Sequence, residues 1–206
     1  MKSKHANQIS KIFGLFYIFI LLFGVNTNAK STLEIDAAIE SALDRFINEV
    51  QGAQTYLDGA RGILVIPKMI KAGLVLGMEY GEGALVVDNI KVQYYRAFSG
   101  SLGLQLGVGS KDLIILFYDD EAMDDFLYSS GWQVGVDGSV ALLDMGAGGS
   151  LDSTEAEDPI VGFVFGHKGL IAGLSLEGTK FTKIWPDAEP EADEDSIEAF
   201  NENALD

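Results

Sequence analysis

The run Ala72-Gly73-Leu74-Val75-Leu76-Gly77-Met78-Glu79-Tyr80-Gly81 decides how this chain is read. Ala72, Leu74, Leu76, Met78 and Tyr80 alternate with Gly73, Val75, Gly77, Glu79 and Gly81. Period-two alternation sends successive side chains to opposite faces of a sheet, so it predicts one strand whose apolar set is buried. The pattern recurs: Leu102, Leu104, Leu106 and Val108 alternate with glycines and Gln105, Leu170 to Leu176 does the same, and Trp132, Val134, Val136, Val140 and Leu142 alternate over eleven positions. The second face is rich in glycine. Glycine weakens a strand, so its repeated use implies sharp curvature or close backbone approach.

Leu113–Tyr118 and Ile160–Phe165 are apolar throughout, which is how central strands covered on both faces read. Asp88-Asn89, between Leu85–Val87 and Val92–Tyr95, reads as a hairpin turn. Residues 33–57 read as one amphipathic helix. Ile39, Leu43, Phe46, Ile47, Val50 and Leu57 recur at three- and four-residue spacing, with Gly59 and Gly62 closing the region. Pro67-Lys68-Met69-Ile70 reads as a short helical turn, and Asp119 or Asp120 as the cap of a second short helix. The fold class expected is α+β: a curled antiparallel or barrel-like sheet packed with an N-terminal amphipathic helix and short helices.

The two ends differ from this middle. Lys2, Lys4 and Lys11 precede an apolar stretch from Ile12 to Val25, and Asn26-Thr27-Asn28-Ala29 follows. Basic, apolar, then small residues is the order a signal peptidase reads, so residues 1–29 are expected to be an export signal cleaved after Ala29. The 14-residue apolar run is short of the roughly 20 that span a bilayer core. A periplasmic or secreted protein is expected, with a domain over 30–185. Residues 187–206 hold nine acidic residues and no basic one, so 186–206 is expected to be a disordered acidic tail.

The formal net charge is −17, which argues against nucleic acid as a partner, because such binding uses Lys and Arg to displace phosphate counterions. There is no cysteine in the chain, so thiol catalysis, iron–sulfur clusters and cysteine zinc sites have no ligands. His167 stands alone in the domain and reads as structural. The Asp119–Asp125 cluster lacks the alternation of a calcium loop. Gly146-Ala147-Gly148-Gly149-Ser150 lacks the lysine of a phosphate-binding loop. Glu79 and Glu82 are candidates for paired hydrolase carboxylates, and Gly81 between them reads as a tight turn. No catalytic residue, metal or cofactor is expected.

Several blocks resemble, in order, the signature of bacterial SYLF-domain (Ysc84-like) proteins. They are Ala72 to Ala84, Ser99-Gly100-Ser101-Leu102-Gly103-Leu104-Gln105, Gly131 to Ala141, Gly146 to Ser150, Val161 to Gly166 and Leu176-Glu177-Gly178-Thr179-Lys180. The resemblance spans about residues 35–184. It implies a non-enzymatic lipid-binding module: eukaryotic relatives join the domain to SH3 or FYVE domains, bind phosphoinositides and, in yeast, act on actin. It carries over no catalytic residues.

Membrane contact in those relatives is attributed partly to an amphipathic helix and basic residues. Here the helix has an acidic polar face, with Glu34, Asp36, Glu40, Asp44 and Glu49 against Arg45. Each basic residue near an anionic surface contributes roughly 1 kcal/mol, so that face opposes phosphoinositides and suits a neutral or zwitterionic lipid better. The candidates for a lipid-facing basic patch are Lys68, Lys71, Arg96, Lys111 and Lys168, among further basic residues that include Lys91, Lys180 and Lys183. The expected function is an exported protein that binds lipid or a membrane surface. Two alternatives are an envelope protein-interaction or scaffold module using the acidic surface and tail, and a carboxylate hydrolase.

Overall fold

The computed structural model describes residues 30–73, 76–102, 107–145, 158–169 and 175–187. The export signal, the 146–150 loop, most of the strand read at 170–176 and all of the acidic tail beyond 187 lie outside the described residues.

Ser31 opens the first helix with a reciprocal cap: its hydroxyl accepts from the Glu34 amide and the Glu34 carboxylate accepts from the Ser31 amide. Helix α1 runs Thr32–Glu49 and buries Ile35, Ile39, Ala42 and Phe46. It does not continue to 57. Gly52 adopts φ 80, a left-handed conformation that breaks the helix, and a separate α2 follows at Ala53–Gly59.

Four long strands come next: β1 Gly62–Gly73, β2 Leu76–Val87, β3 Ile90–Leu102 and β4 Gly107–Phe117. Helix α3, Asp120–Tyr128, is capped by the Asp119 carboxylate, which accepts from the Ala122 amide. Short β5 (Trp132–Gln133) and β6 (Ala141–Asp144) precede β7 (Ile160–Gly169) and β8 (Lys180–Ile184). The eight strands form one curled, half-barrel sheet in the order β5-β8-β3-β2-β1-β4-β7-β6. All pairings are antiparallel except β6 with β7, so the sheet is mixed. The α+β class holds.

Central strands β1, β4 and β7 are covered on both faces, as their apolar runs require. One face packs Leu64, Ile66, Leu113, Ile115 and Val164 under Phe126 of α3 and Trp132. The other packs Val65, Ala84, Ile114, Leu116 and Phe163 under Ile35, Ile39 and Phe46 of α1. Below, these are the α3 face and the α1 face. Glycine on β2 answers a steric demand: a Cβ on Gly83 would lie 1.7 Å from the Val65 carbonyl oxygen.

Three local readings are corrected. Residues 72–80 are not one strand; they are the end of β1 and the start of β2, with Gly73 opposite Gly77. Pro67–Ile70 is not a helical turn. It lies inside β1 at a bulge between Ile66 and Met69, where Lys68 takes φ 52 and Pro67 has no amide to lose. The eleven-position alternation from Trp132 is interrupted after two strand residues, because Gly135 at φ 84 turns the chain and leaves Val136 exposed. The Asp88-Asn89 hairpin stands, with both residues at positive φ.

Candidate functional site: an inverted end of the sheet

Strand parity is kept along β2 and β4 and shifted by one residue at the β1 bulge, which puts Val65 and Ile70 on the same face, so the two faces can be followed past the last residue covered by α1. On the α1 face, register partners run Ser110–Ile70–Tyr80–Phe98 across β4, β1, β2 and β3. The next row is Val108–Ala72–Met78–Gly100. Ile70, Met78, Phe98 and Val108 are 54, 59, 46 and 72% exposed, and Tyr80 is 38% exposed. This apolar patch spans four adjacent strands, and among the described residues no helix lies over it. Lys168 pairs with Ser110 at one end of the first row, and Lys180 pairs with Phe98 at the other.

The α3 face carries the opposite chemistry. Lys71, Glu79 and Lys111 are 8, 6 and 1% exposed. Lys71 Nζ is 3.2 Å from Glu79 Oε1, and Lys111 Nζ is 2.8 Å from Oε2. Lys111 and Glu79 are in charge contact there, but not aligned as a hydrogen bond. The expected arrangement is therefore inverted: Ala72, Met78 and Tyr80 face out and Glu79 faces in. The edge of a sheet can hold charges inside only if they are paired, and the Lys–Glu–Lys contact supplies that pairing.

The candidate basic residues are thus divided. Lys71 and Lys111 come together on Glu79, beneath the sheet. Lys68 is exposed at the β1 bulge, where its amide donates to Asp112 Oδ1 at 2.8 Å. Lys168 is exposed on the α1 face. Arg96 is half-exposed on that face, stacked 5.7 Å from the Tyr80 ring centroid, and its Nε donates to the Tyr80 hydroxyl at 3.2 Å. Tyr80 in turn donates to Glu82. Burial, reinforced by the Glu82 carboxylate, pushes the Tyr80 phenol above its usual range.

Glu79 and Glu82 sit mid-strand rather than at a turn, and their odd spacing puts them on opposite faces of β2. Each is held by cations of its own face, so the two cannot act as paired carboxylates. His167 Nε2 lies 3.6 Å from Asp144 Oδ1, beyond hydrogen-bond reach.

Sequence reading missed Asp112 and the outward set. Asp112, 3% exposed, accepts from Arg45 Nε and from the Lys68 amide, both at 2.8 Å, and so ties α1 to the β1 bulge. The outward set had a signal: Lys71 and Glu79 share parity with Gly73 and Gly77, which marks that parity as the unusual one. The polar face of α1 docks on β3, with Asp36 accepting from the Tyr94 hydroxyl at 2.9 Å and lying 3.1 Å from Lys91 Nζ.

Residues 98–185 match the model of the family described as Ysc84, Las17-binding protein actin regulator. The match takes in the end of β3 and every element through β8, including Phe98 and Lys180. No curated protein matches the chain.

Proposed function

We propose that this chain, whose residues 98–185 match the Ysc84 (SYLF) family model, is an exported, non-enzymatic protein that binds a membrane surface with the inverted end of its sheet. The observation that carries this reading is the row Lys168–Ser110–Ile70–Tyr80–Phe98–Lys180. Exposed apolar side chains are bounded at each end by a lysine. Apolar groups enter the acyl boundary while lysine ammoniums stay at headgroup level. Among the described residues no helix is long and apolar enough to cross a membrane. Of the candidate basic residues, Lys68, Arg96 and Lys168 are exposed and accompany the patch together with Lys180. Lys71 and Lys111 support it from below, by holding Glu79 on the inner face.

The test is co-sedimentation of the protein with vesicles of neutral and of anionic composition. Association with at least one composition is expected. No association with any would end this reading.

The family description names a protein ligand, and this favours a second reading in which the acidic surface and tail dock a basic envelope protein. Pull-downs from envelope extract with and without residues 186–206 separate the two. Capture that vanishes with the tail, alongside no vesicle binding, supports the second.

A further inference from the structure

We infer that residues 188–206 fold back over the apolar end of the α1 face and cover it. The cations around that end carry the first argument. Lys68, Lys168 and Lys180 border the patch, and among the described residues none of their ammonium groups is in an ion pair. Lys71, Lys91, Lys111, Arg45, Arg61 and Arg96 all are. Away from the patch, only Lys30 and Lys183 of the described basic residues also lack one. The chain has 31 acidic and 14 basic residues, so three cations without an anion at one place mark a surface complementary to an acidic segment.

Residues 188–206 have the matching chemistry. They hold eight acidic residues and no basic one, with Ile197, Phe200 and Leu205 among them. The apolar three suit the exposed Met78 and Phe98, and the carboxylates suit the lysines around them. Exposed ion pairs contribute little in water, so the lysines choose the place and the apolar contacts hold it. Reach is sufficient. The described chain ends at Asp187, seven residues past Lys180, which pairs with Phe98. At about 3.3 Å per residue, Asp187 is at most ~23 Å from the patch. The ten residues from Asp187 to Ile197 span up to about 33 Å. A groove lined by Thr32, Val92, Ile184, Trp185 and Asp187 lies nearer, but a carboxylate and no cation lines it, so it repels the same segment. The contact itself needs no membrane. Its consequence rests on the membrane reading, because a covered patch is closed to lipid. A segment that covers the patch in most molecules lowers apparent affinity by the fraction left open, so its removal tightens vesicle binding about threefold or more.

The experiment attaches a spin label to Ala204→Cys in the full chain, which has no other cysteine to react. Paramagnetic broadening of the Ile70, Met78 and Phe98 resonances in dilute protein is expected. Ile197→Ser with Phe200→Ser keeps every carboxylate and is expected to lose most of that broadening. Broadening centred on Val92 and Trp185, or none in the domain, would overturn the contact. So would broadening seen only between separately labelled copies, which assigns the patch to a second molecule. Vesicle co-sedimentation of the chain without residues 188–206 then reads the consequence. Tighter binding to neutral as well as anionic vesicles supports the cover, since loss of charge alone acts at anionic surfaces. Vesicle binding unchanged by the deletion would overturn it. No vesicle binding by either chain, with the broadening kept, ends the membrane reading and leaves the contact standing.

Discussion

Ile70 stands opposite Tyr80 in the β1–β2 ladder with both side chains turned to solvent, while the next pair along, Lys71 and Glu79, is buried at 3.2 Å on the other face. One residue of register separates an apolar surface from an internal ion pair. A slip by one residue would exchange the two faces. The bulge at Lys68 and the contact of Asp112 with it hold that register.

Replacing Asp112 therefore tests the device that sets the faces. Asp112→Ala leaves Arg45 and the Lys68 amide without their acceptor. The loss expected is about 2–3 kcal/mol, below the figure for a fully buried pair because Arg45 is 27% exposed. Urea denaturation measures it. Asp112→Asn, which keeps an oxygen for the Lys68 amide, is expected to lose less.

Two glycines one strand apart predict opposite outcomes. Gly83→Ala places a Cβ against the Val65 carbonyl, and backbone cannot give way as a side chain can. A loss of about 3 kcal/mol or more, or no folded protein, is expected. Gly100 has no atom within 4 Å of its Cβ position, so Gly100→Ala is expected to be neutral or to stabilise by about 0.5–1 kcal/mol. Thermal melting of the pair checks both.

Burial pushes the phenols of Tyr95 and Tyr118 up to about 12, with Tyr56 adding to the effect at Tyr118. An unfolded tyrosine ionises near 10, so between pH 10 and 12 the unfolded state releases protons that the folded state retains. Stability then falls as pH rises, by roughly 1.4 kcal/mol per pH unit for the fully buried Tyr95, and is unaffected by these groups below pH 10. Ultraviolet titration should show these phenols ionising late, followed by alkaline unfolding. Complete ionisation near pH 10 with the fold intact would refute the burial.

The lysines at the two ends of the apolar row carry a separable prediction. Lys168→Ser with Lys180→Ser removes two cations, each contributing about 1 kcal/mol at an anionic surface. Binding to anionic vesicles should weaken by roughly an order of magnitude or more, and binding to neutral vesicles should not change. Co-sedimentation on both compositions reads the difference.

Much of the fold was legible because local chemistry fixed it. Asp119 caps its helix, Asp88-Asn89 turns the hairpin, and the apolar runs of β4 and β7 are buried on both faces. The helix break at Gly52 was not legible, since the apolar spacing carries through Val50 to Leu57 without regard to it. The site was read with its faces exchanged. Alternation reports that two faces differ; it does not say which is inside. That depends on what covers each face, and α1 ends short of Ile70 and Met78. The basic residues were named one by one, but whether Lys71 and Lys111 would meet at Glu79 depends on pairings across three strands. Asp112 went unnoticed because a single carboxylate in an apolar strand carries no pattern; its meaning comes from Arg45, 67 residues away.

The most direct test of the account is vesicle flotation of the full chain beside the double variant Met78→Asp, Phe98→Asp. Both positions are exposed, at 59 and 46%, so the fold and melting temperature should be kept. The account predicts that wild type floats with vesicles and the variant stays at the bottom, since charge at these positions removes apolar contact worth about 1 kcal/mol or more per side chain. A folded variant that floats as well as wild type would contradict the claim that this face meets the membrane.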